Sequence, residues 1–297
     1  MTNNFLLKDE VRKPEYDNQL DFFLYDNLLA LGATGEKRED RTGTGTRSRF
    51  GTSLKFDVPE GKLPVVTVKK IQLNSVIHEL VWMIRGVTNV SYLNENGVHI
   101  WDAWADEYGD LGPVYGAQWR GKDGGPDQLA RVVSEIAKNP NSRRLVVDSW
   151  NPSRTQEMNL PPCHYSFQFS VREGGKLDVL VNQRSQDLFL GAPFNWTQYS
   201  LLLSIVAELC GLEPRHVMFA VGDMHLYNNH EAAATEYVKL YGEDDTGHNY
   251  PDLSLDLPDL DAEDSKSVAR FLDNFSADTI KVENYEHGPF VRAPISA

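Results

Sequence analysis

The chain mixes two kinds of apolar pattern without regular alternation, and this mixture limits the folds that it can adopt. Apolar residues recur at three- and four-residue intervals, as in amphipathic helices, over residues 16–31, 75–85, 127–139 and 197–210. β-Branched and aromatic residues with partial alternation predict strands over residues 144–150, 165–171, 176–182, 216–221 and 279–285. Helices and strands in no strict order favour a layered α+β fold over a doubly wound one.

No repeat, low-complexity tract or long linker divides the 297 residues, so we predict one domain preceded by a short arm. The arm is placed at residues 1–16 and the domain at residues 17–297. Charges are scattered through the arm, which has no apolar stretch typical of a signal peptide. No apolar run reaches the roughly 20 residues that cross a bilayer, so no membrane partner is expected. Residues 243–264 are rich in Pro, Gly and Asp, which predicts a solvated loop.

The charge of the chain restricts its partners. The formal net charge is −14 and the pI is about 5.0. Affinity for nucleic acid comes mainly from neutralised phosphates, so we expect no strong nucleic-acid binding. Basic residues nevertheless cluster at Lys69-Lys70, at Arg143-Arg144 and around Arg41. Such local patches can still form a focused site for a small anion.

The two cysteines have neither metal-ligand spacing nor the pattern of a disulfide framework. We therefore expect no metal and a cytoplasmic location, in a cell or in a virus-infected host. Cys210 belongs to the apolar helix predicted over 197–210 and is assigned to the core. Cys163 stands in Leu-Pro-Pro-Cys-His at 160–164, where a thiol is a candidate nucleophile if nearby positive charge lowers its pKa. A small apolar side chain at the start of a strand is the alternative.

Two further motifs supply groups that bind anions. Arg-Ser-Gln-Asp at 184–187 offers an arginine that stays charged and grips phosphate or carboxylate. Asp-Arg-Thr-Gly-Thr-Gly-Thr at 40–46 offers hydroxyls, Arg41 and backbone amides freed by glycines. This loop lacks the spacing of nucleoside-triphosphate and dinucleotide motifs, and a flexible hairpin is its alternative. Thiol and anion site are therefore expected to share one pocket.

These blocks, in this order, resemble the folate-dependent thymidylate synthases over nearly the whole chain, from about residue 17 to residue 297. Besides the 40–46 loop and the 160–164 turn, the matching blocks are His-Glu-Leu at 78–80, Ile-Trp-Asp-Ala-Trp-Ala-Asp-Glu at 100–107, Gly-Asp-Leu-Gly-Pro-Val-Tyr-Gly at 109–116, Ser-Arg-Arg at 142–144, Arg-Ser-x-Asp-x-x-Leu-Gly-x-Pro-Phe-Asn at 184–195 and Gly-Asp-Met-His-Leu-Tyr-Asn-Asn-His at 222–230. The resemblance implies a mixed β-sheet covered by helices and a homodimer formed through the sheet face.

The resemblance also implies a covalent reaction. Cys163 would add to C6 of dUMP, so that C5 becomes nucleophilic toward 5,10-methylenetetrahydrofolate. Glu79, on an otherwise apolar helix face, would organise water and move protons, with Tyr115 assisting proton removal. His164 is expected to form hydrogen bonds rather than to act as the base. The implied catalytic set is Cys163, Glu79, Tyr115, Arg184, Asp187 and Asn195.

The nucleotide site follows from the same resemblance. Asn195 presents an amide that matches the N3–H and O4 edge of uracil, whereas an aspartate would suit cytosine. A buried polar mismatch costs about 1 to 3 kcal/mol, so this position favours a uracil nucleotide. His225 and Tyr227 would bond the 3′-hydroxyl. The groups expected at the 5′-phosphate are Arg41, Arg184 and Ser185, with Arg143 and Arg144 reaching it from a second subunit. The homodimer would thus complete the site.

The folate site is implied as an apolar wall closed by a tail. The wall comprises Trp101, Trp104, Leu160 and Phe194, with Gly191 beside it, Asp187 bonding the pterin, Lys69 near the glutamate tail and Ser296 in the closing segment. The residues from 292 to 297 resemble a tail that shuts over the folate. Closure of such a tail would exclude water from the reactive intermediate.

The fate of the transferred one-carbon unit stays open. Reduction by the folate gives thymidylate, whereas capture by water gives 5-hydroxymethyl-dUMP, and the motifs above serve both reactions. Four departures from the usual family pattern bear on this choice: the Ile-Ser-Ala end at 295–297, Asp148, Gln72 and Trp196. Intact Trp101 and Trp104 favour reduction. A third alternative, an RNA-binding regulator of the same fold, is disfavoured by the acidic charge.

Overall fold

A six-stranded mixed β-sheet lies at the centre of the computed structural model, which describes residues 18–243 and 247–296. The spatial order of its strands is β1-β2-β6-β5-β4-β3. In chain order these are β1 (Glu36–Arg38), β2 (Thr46–Asp57), β3 (Val146–Asp148), β4 (His164–Arg172), β5 (Lys176–Asp187) and β6 (Glu213–Tyr227). The predicted α+β class and mixed sheet are confirmed. The arm predicted at residues 1–16 lies outside the described residues.

The connections of the sheet bring three strand ends to one edge. Only β5 and β6 are parallel, and the long helix α6 (Gly191–Leu209) connects them, as a parallel pair requires. Because β4 runs antiparallel to β5, the start of β4 at His164 lies opposite Gln183 near the end of β5. The parallel register sets Asp187 beside His225. Residues that precede β4 or end β5 and β6 therefore meet.

The helices pack against the sheet and against one another. They are α1 (Gln19–Thr34), α2 (Leu73–Ile84), α3 (Ser91–Glu95), α4 (Gly116–Trp119), α5 (Gln128–Lys138), α6, α7 (Glu231–Tyr241) and α8 (Ser265–Asp273). Nearly every side of α6 is buried, and it packs on β5 and β6, as expected for a helix that is apolar all round. On β4, Phe167 and Phe169 are fully buried whereas Gln168 and Ser170 are half-buried. The sheet thus has one packed face and one less covered face.

The predicted helices are confirmed, with shifted ends. The patterns at 75–85 and 127–139 correspond to α2 and α5, and the pattern at 16–31 to α1. The helix predicted from residue 197 begins six residues earlier, at Gly191. Pro193 falls in its first turn, where a proline costs no helical hydrogen bond. The earlier start matters because it places Asn195 on the helix.

Other segments were incompletely predicted. β5 and β6 extend past residues 182 and 221 to Asp187 and Tyr227, because their polar ends face a cavity rather than the core. The interpretation of residues 243–264 as a solvated loop is wrong in part. That segment contains a strand, β7 (Asp252–Leu255), which pairs with β8 (Ile280–Glu283) in a separate two-stranded sheet. Leu253 is buried there, so an acidic composition concealed one packed strand.

Candidate active site

A cavity of about 840 Å³ opens where β4 begins and β5 and β6 end. Its size suits a small-molecule site. The structure brings most of the sequence-predicted residues to its wall: Arg41, Lys69, Glu79, Trp104, Leu160, Cys163, Arg184, Ser185, Asp187, Gly191, Phe194, Asn195, His225, Tyr227 and Ser296. Residues from strands, from the first turn of α6, from α2 and from the C-terminal segment therefore converge on one space.

Cys163 lies immediately before β4, in a turn that Arg184 holds. Arg184 Nε donates to the Pro162 carbonyl at 2.9 Å and Nη2 donates to the Pro161 carbonyl at 2.8 Å. The same Nη2 lies 3.9 Å from Cys163 Sγ. One guanidinium therefore fixes the Pro-Pro turn and places a permanent positive charge beside the thiol.

The electrostatics of Cys163 differ from the expectation based on its arginines. Burial raises the pKa of the thiol, whereas Arg184 and the Tyr115 hydroxyl act in the opposite direction, and the net pKa is raised. The expected effect of arginine is thus present but is outweighed by desolvation in the single chain. Further positive charge brought to the cavity would favour the thiolate.

Tyr115 supports the nucleophile from behind the cavity wall. Its hydroxyl accepts a hydrogen bond from the Cys163 backbone N–H at 2.8 Å. Tyr115 has φ of 30°, a left-handed conformation that is strained for a tyrosine. The next residue must be small, since a Cβ on Gly116 would come within 2.3 Å of the Met83 carbonyl oxygen. Strain of this kind is typical of functional sites.

His164 follows Cys163 in the chain but is more deeply buried. It is buried, its Nδ1 lies 2.9 Å from the Tyr199 hydroxyl, and burial lowers its pKa to about 3. A neutral, enclosed imidazole suits the expected hydrogen-bonding role better than that of a base.

Glu79 projects from α2 into the cavity and is only 7% exposed. Trp101 Nε1 donates to its Oε1 at 2.7 Å and Gln198 Nε2 donates to its Oε2 at 2.9 Å. Burial raises the pKa of the carboxyl group to about 7, although both hydrogen bonds lower it. Near neutral pH, Glu79 can therefore both donate and accept a proton. Trp101, which was predicted in the apolar wall, does not line the cavity. It acts on the site through its hydrogen bond to Glu79.

Asn195 and the sugar-binding candidates occupy the strand side of the cavity. Asn195 Oδ1 accepts from Gln183 Nε2 at 3.0 Å. His225 Nδ1 lies 3.2 Å from Asp223 Oδ1, and Tyr227 follows on the same strand. Asp223 also accepts from Arg38 and from Ser48, each at 3.0 Å. These contacts fix the carboxylate that orients His225.

The loop at 40–46 is a folded turn. The Asp40 carboxylate accepts from the backbone N–H of Gly45 at 2.8 Å and of Thr42 at 3.1 Å. Gly43 and Gly45 have φ of 72° and 75°, which glycine adopts without strain. The loop joins the antiparallel strands β1 and β2, so the hairpin of the alternative is present, and it brings Arg41 to the cavity.

Arg143 and Arg144 are not at this cavity. Both are exposed, in the segment that leads into β3. Val146 and Trp150, each 37% exposed, lie in the same region. Within one chain, the structure therefore separates these arginines from Arg184.

Part of the cavity wall is apolar. Trp104, Leu160 and Phe194 line the cavity together with Phe290, Val291 and Ile295 of the C-terminal segment. Lys69 is buried beside them, and its Nζ donates to the Phe189 carbonyl at 2.5 Å. Burial lowers the pKa of this amine to about 7. Asp187 accepts from the backbone N–H of Phe189 at 3.0 Å, so one of its oxygens is already engaged.

Hydrogen bonds to His230, Asn229 and Thr44 dock the C-terminal segment. His230 Nε2 lies 2.7 Å from the Pro294 carbonyl. Ser296 Oγ accepts from Asn229 Nδ2 at 3.1 Å and from Thr44 Oγ1 at 3.4 Å. The segment thereby connects the 40–46 loop to the end of β6, and it forms part of the cavity wall.

Three glutamines and one aspartate near the site were missed by sequence reasoning. Gln198 holds Glu79, Gln183 and Gln186 lie behind Asn195, and Asp223 holds His225. The signal for Gln198 was a polar residue in an otherwise apolar helical pattern. Asp223 precedes His225 by two residues, and the extension of β6 past residue 221 puts their side chains on the same face, where they touch.

Within the described residues, no group of three or more His, Cys, Asp or Glu side chains could hold a metal ion. None of the helices at 18–243 and 247–296 has the length and apolar character needed to cross a membrane.

The geometry of the site indicates a class of enzyme. A thiol beside an arginine, with a buried carboxyl group that titrates near neutrality, is typical of enzymes that attack an anionic substrate through a cysteine. Residues 24–297 match the family model described as Thymidylate synthase. The match covers nearly the whole chain, and the chain belongs to the thymidylate synthase family. The resemblance stated from the motifs is confirmed. Membership supports transfer of a one-carbon unit to C5 of dUMP with methylenetetrahydrofolate as the donor.

Proposed function

We propose that this enzyme methylates dUMP reductively, giving dTMP and dihydrofolate. The substrate fits the strand side of the cavity: Arg41, Arg184 and Ser185 at the 5′-phosphate, His225 and Tyr227 at the 3′-hydroxyl. Asn195 reads the uracil edge. The folate fits the apolar side, between Trp104 and the C-terminal segment.

Cys163 begins the reaction. Its thiolate adds to C6 of the pyrimidine and the electron pair moves to C5, which forms the new carbon–carbon bond to the methylene of the folate. Loss of the C5 proton then lets the bond between the methylene and the folate nitrogen break, which leaves an exocyclic methylene on the pyrimidine and releases tetrahydrofolate. A hydride from this tetrahydrofolate reduces the methylene to a methyl group as the thiolate leaves C6, which restores the 5,6-double bond and gives dihydrofolate. Arg184 stabilises the thiolate both when it attacks C6 and when it leaves C6, because its guanidinium lies 3.9 Å from Sγ.

Glu79 and Tyr115 handle protons. A carboxyl group with a pKa of about 7 can donate toward O4 as the thiolate adds and accept when negative charge returns. The hydroxyl of Tyr115 lies behind the cavity wall, and its 2.8 Å hydrogen bond from the Cys163 backbone N–H supports a part for Tyr115 in removal of the C5 proton from there. Trp101 and Gln198 keep Glu79 aimed into the cavity while these steps occur.

The observation that carries the reductive outcome is the apolar wall closed by a docked tail. Trp104, Leu160, Phe194, Phe290, Val291 and Ile295 line the space beside Cys163. The hydrogen bond between His230 and the Pro294 carbonyl holds the tail there. Exclusion of water protects an exocyclic methylene until a hydride arrives.

A homodimer forms part of this proposal. Arg143 and Arg144 are exposed and separate from their own cavity, as side chains serving a second subunit would be. Val146, Trp150 and Phe50, which is 82% exposed, supply apolar surface for an interface through the sheet. The added arginines would lower the pKa of Cys163, which burial raises in the single chain.

Water capture of the methylene is the second candidate, and one observation favours it. The Ser296 hydroxyl and Thr44 place polar atoms where the tail meets the cavity. A polar end can hold a water molecule near the intermediate, and the product would then be 5-hydroxymethyl-dUMP with tetrahydrofolate.

Product analysis separates the two candidates. The enzyme is incubated with dUMP and methylenetetrahydrofolate, dihydrofolate is followed by absorbance, and the nucleotide is identified by mass spectrometry. Thymidylate with one dihydrofolate per nucleotide supports the proposal. 5-Hydroxymethyl-dUMP with tetrahydrofolate supports water capture, and unchanged dUMP contradicts both.

A further inference from the structure

Three side-chain amides form a hydrogen-bonded chain behind the cavity, from Gln186 through Gln183 to Asn195. Gln186 Nε2 donates to Gln183 Oε1 at 3.0 Å, and Gln183 Nε2 donates to Asn195 Oδ1 at 3.0 Å. Gln186 is fully buried and Gln183 is 2% exposed, whereas Asn195 lines the cavity. Two hydrogen bonds therefore connect the protein interior to the group expected to read the base.

A backbone carbonyl and the Gln186 amide together fix the direction of this chain. Gln183 Nε2 also donates to the Ser185 carbonyl at 3.1 Å. A carbonyl oxygen accepts and never donates, so turning the Gln183 amide over would set two acceptors against each other. The turned amide would also present its NH₂ to the donor of Gln186. Ser185 and Gln186 thus hold Gln183, and Gln183 holds Asn195 with Oδ1 toward the interior.

This orientation decides what Asn195 offers to a ligand. No acceptor among the described residues is bonded to Asn195 Nδ2, which therefore remains a donor toward the cavity. A donor matches O4 of uracil, and the second lone pair of Oδ1 can accept N3–H. The exocyclic N4 of cytosine is itself a donor, so it would be buried against Nδ2 without an acceptor.

Gln186 lowers the stability of the fold at its buried position. Its Oε1 is buried and has no hydrogen-bond partner in the described part of the chain. An apolar side chain of similar size would avoid that cost. The Nε2 of the same amide has one recorded contact, with Gln183. What Gln186 contributes is therefore the orientation of Gln183.

We propose that Gln186 is a positioning residue which, through Gln183, holds Asn195 in the orientation that selects uracil and rejects cytosine nucleotides. The inference rests on the proposed function, because it takes Asn195 to be the base reader. It predicts that a substitution with no contact to the substrate changes base selectivity.

The test compares the dissociation constants of dUMP and dCMP by titration calorimetry. Gln186→Met keeps the length of the side chain and removes its amide. The preference of the enzyme for dUMP over dCMP is expected to fall about five- to tenfold, the equivalent of one hydrogen bond. A preference within twofold of the wild-type value in a folded variant would overturn the inference. Gln186→Asn, which retracts the amide, gives the same test if the first variant does not fold.

Two controls separate positioning from a general structural effect. Gln118 is also buried and donates to the Pro113 carbonyl and to Asp123, but it does not line the cavity, so Gln118→Met should leave the preference unchanged. In an Asn195→Ala background, Gln186→Met should no longer alter the preference, and an undiminished effect there would contradict the inference. Failure of the wild-type enzyme to bind dUMP would instead overturn the proposed function.

Discussion

The two sides of the cavity are built in different ways. The side that we propose for the nucleotide, the nucleotide side, is built mainly on strands: Arg184 and Ser185 belong to β5, His225 and Tyr227 to β6, and the ladder pairs Ser185 with Asp223. The side that we propose for the folate, the folate side, combines loops and a docked tail, and side-chain hydrogen bonds such as the one from His230 hold that tail in place. In this proposal the nucleotide meets groups that the sheet fixes, whereas folate binding depends on the docked tail.

This difference assigns different effects to substitutions on the two sides. Changes on the nucleotide side should alter the chemical step, the thiolate or the base preference. Changes on the folate side should alter folate affinity and the access of water, with the nucleotide still bound.

Loss of the nucleophile should give the largest effect. Cys163→Ser is expected to lower single-turnover rates by more than about a thousandfold, because a serine hydroxyl is not ionised beside Arg184. Binding of dUMP, measured by calorimetry, should persist because the arginines remain. Undiminished turnover would remove Cys163 as the nucleophile.

Glu79 lies between the two sides and should trade stability for function. Its folded pKa of about 7 lies above the ordinary 4.5. The fold therefore favours the protonated form, and this contribution to stability is present below pH 4.5 and lost as the pH rises through 7. Glu79→Gln should exceed the wild type in free energy of unfolding by about 3 kcal/mol at pH 8. The gain should vanish near pH 4.5, while turnover is lost. Denaturant titration across pH measures the difference, and a gain independent of pH would contradict it.

Arg184 should act on both substrate and thiol. Arg184→Ala is expected to reduce kcat/KM about a hundredfold, since it removes a charge-assisted phosphate contact and frees the Pro161 and Pro162 carbonyls. Because Arg184 lowers the pKa of Cys163, the pH profile of alkylation by iodoacetamide should move to higher pH. Arg172→Ala, on the exposed end of β4, is the matched control and should leave the profile in place.

Asn195 should control the base. Asn195→Asp is expected to shift the ratio of kcat/KM for dUMP and dCMP toward dCMP by at least about tenfold, because a carboxylate accepts from the cytosine amino group. Competition between the two nucleotides measures the ratio. An unchanged ratio would refute Asn195 as the base reader.

The tail contact should give the smallest effect and should be confined to the folate side. His230→Phe keeps a buried ring but removes the hydrogen bond to the Pro294 carbonyl and the 3.6 Å contact of His230 Nδ1 with Asp187 Oδ1, a residue also expected on the folate side. The KM for methylenetetrahydrofolate should rise about fivefold, the equivalent of one hydrogen bond, with dUMP affinity unchanged. His99→Phe, at an exposed position that does not line the cavity, is the control. A loss of dUMP affinity equal to that of folate would show that the two sides are not separable.

The thiol and its arginine could be proposed from residue chemistry, because a cysteine in a Pro-Pro turn is a candidate nucleophile and Arg184 beside Ser185 is a candidate anion site. Cys163 still had a structural alternative, and the roles of Asn195, His225 and Tyr227 came from the resemblance. The folate side also depended on the resemblance, since Trp104, Leu160 and Phe194 are equally typical of a core. The fold class was predictable because helical and strand-like apolar patterns follow one another along the chain without strict alternation.

The supporting contacts could not be predicted, because they join residues that the fold alone brings together. Gln198 meets Glu79 across 119 positions of sequence, and no local pattern marks that pair. The strained φ of Tyr115 is likewise set by packing at Gly116. The raised pKa of Cys163 could not be predicted either. Burial raises this pKa more than Arg184 lowers it, and burial depends on how the whole fold excludes solvent from the thiol.

The most direct test of the account is whether Cys163 forms the covalent intermediate. With 5-fluoro-dUMP the C5 substituent cannot leave as a proton does, so the adduct should stall after the carbon–carbon bond forms. Peptide mass spectrometry after incubation with 5-fluoro-dUMP and methylenetetrahydrofolate should show the 160–164 peptide carrying both nucleotide and folate, and Cys163→Ser should carry neither. Turnover of dUMP with no mass added to Cys163 would contradict the account.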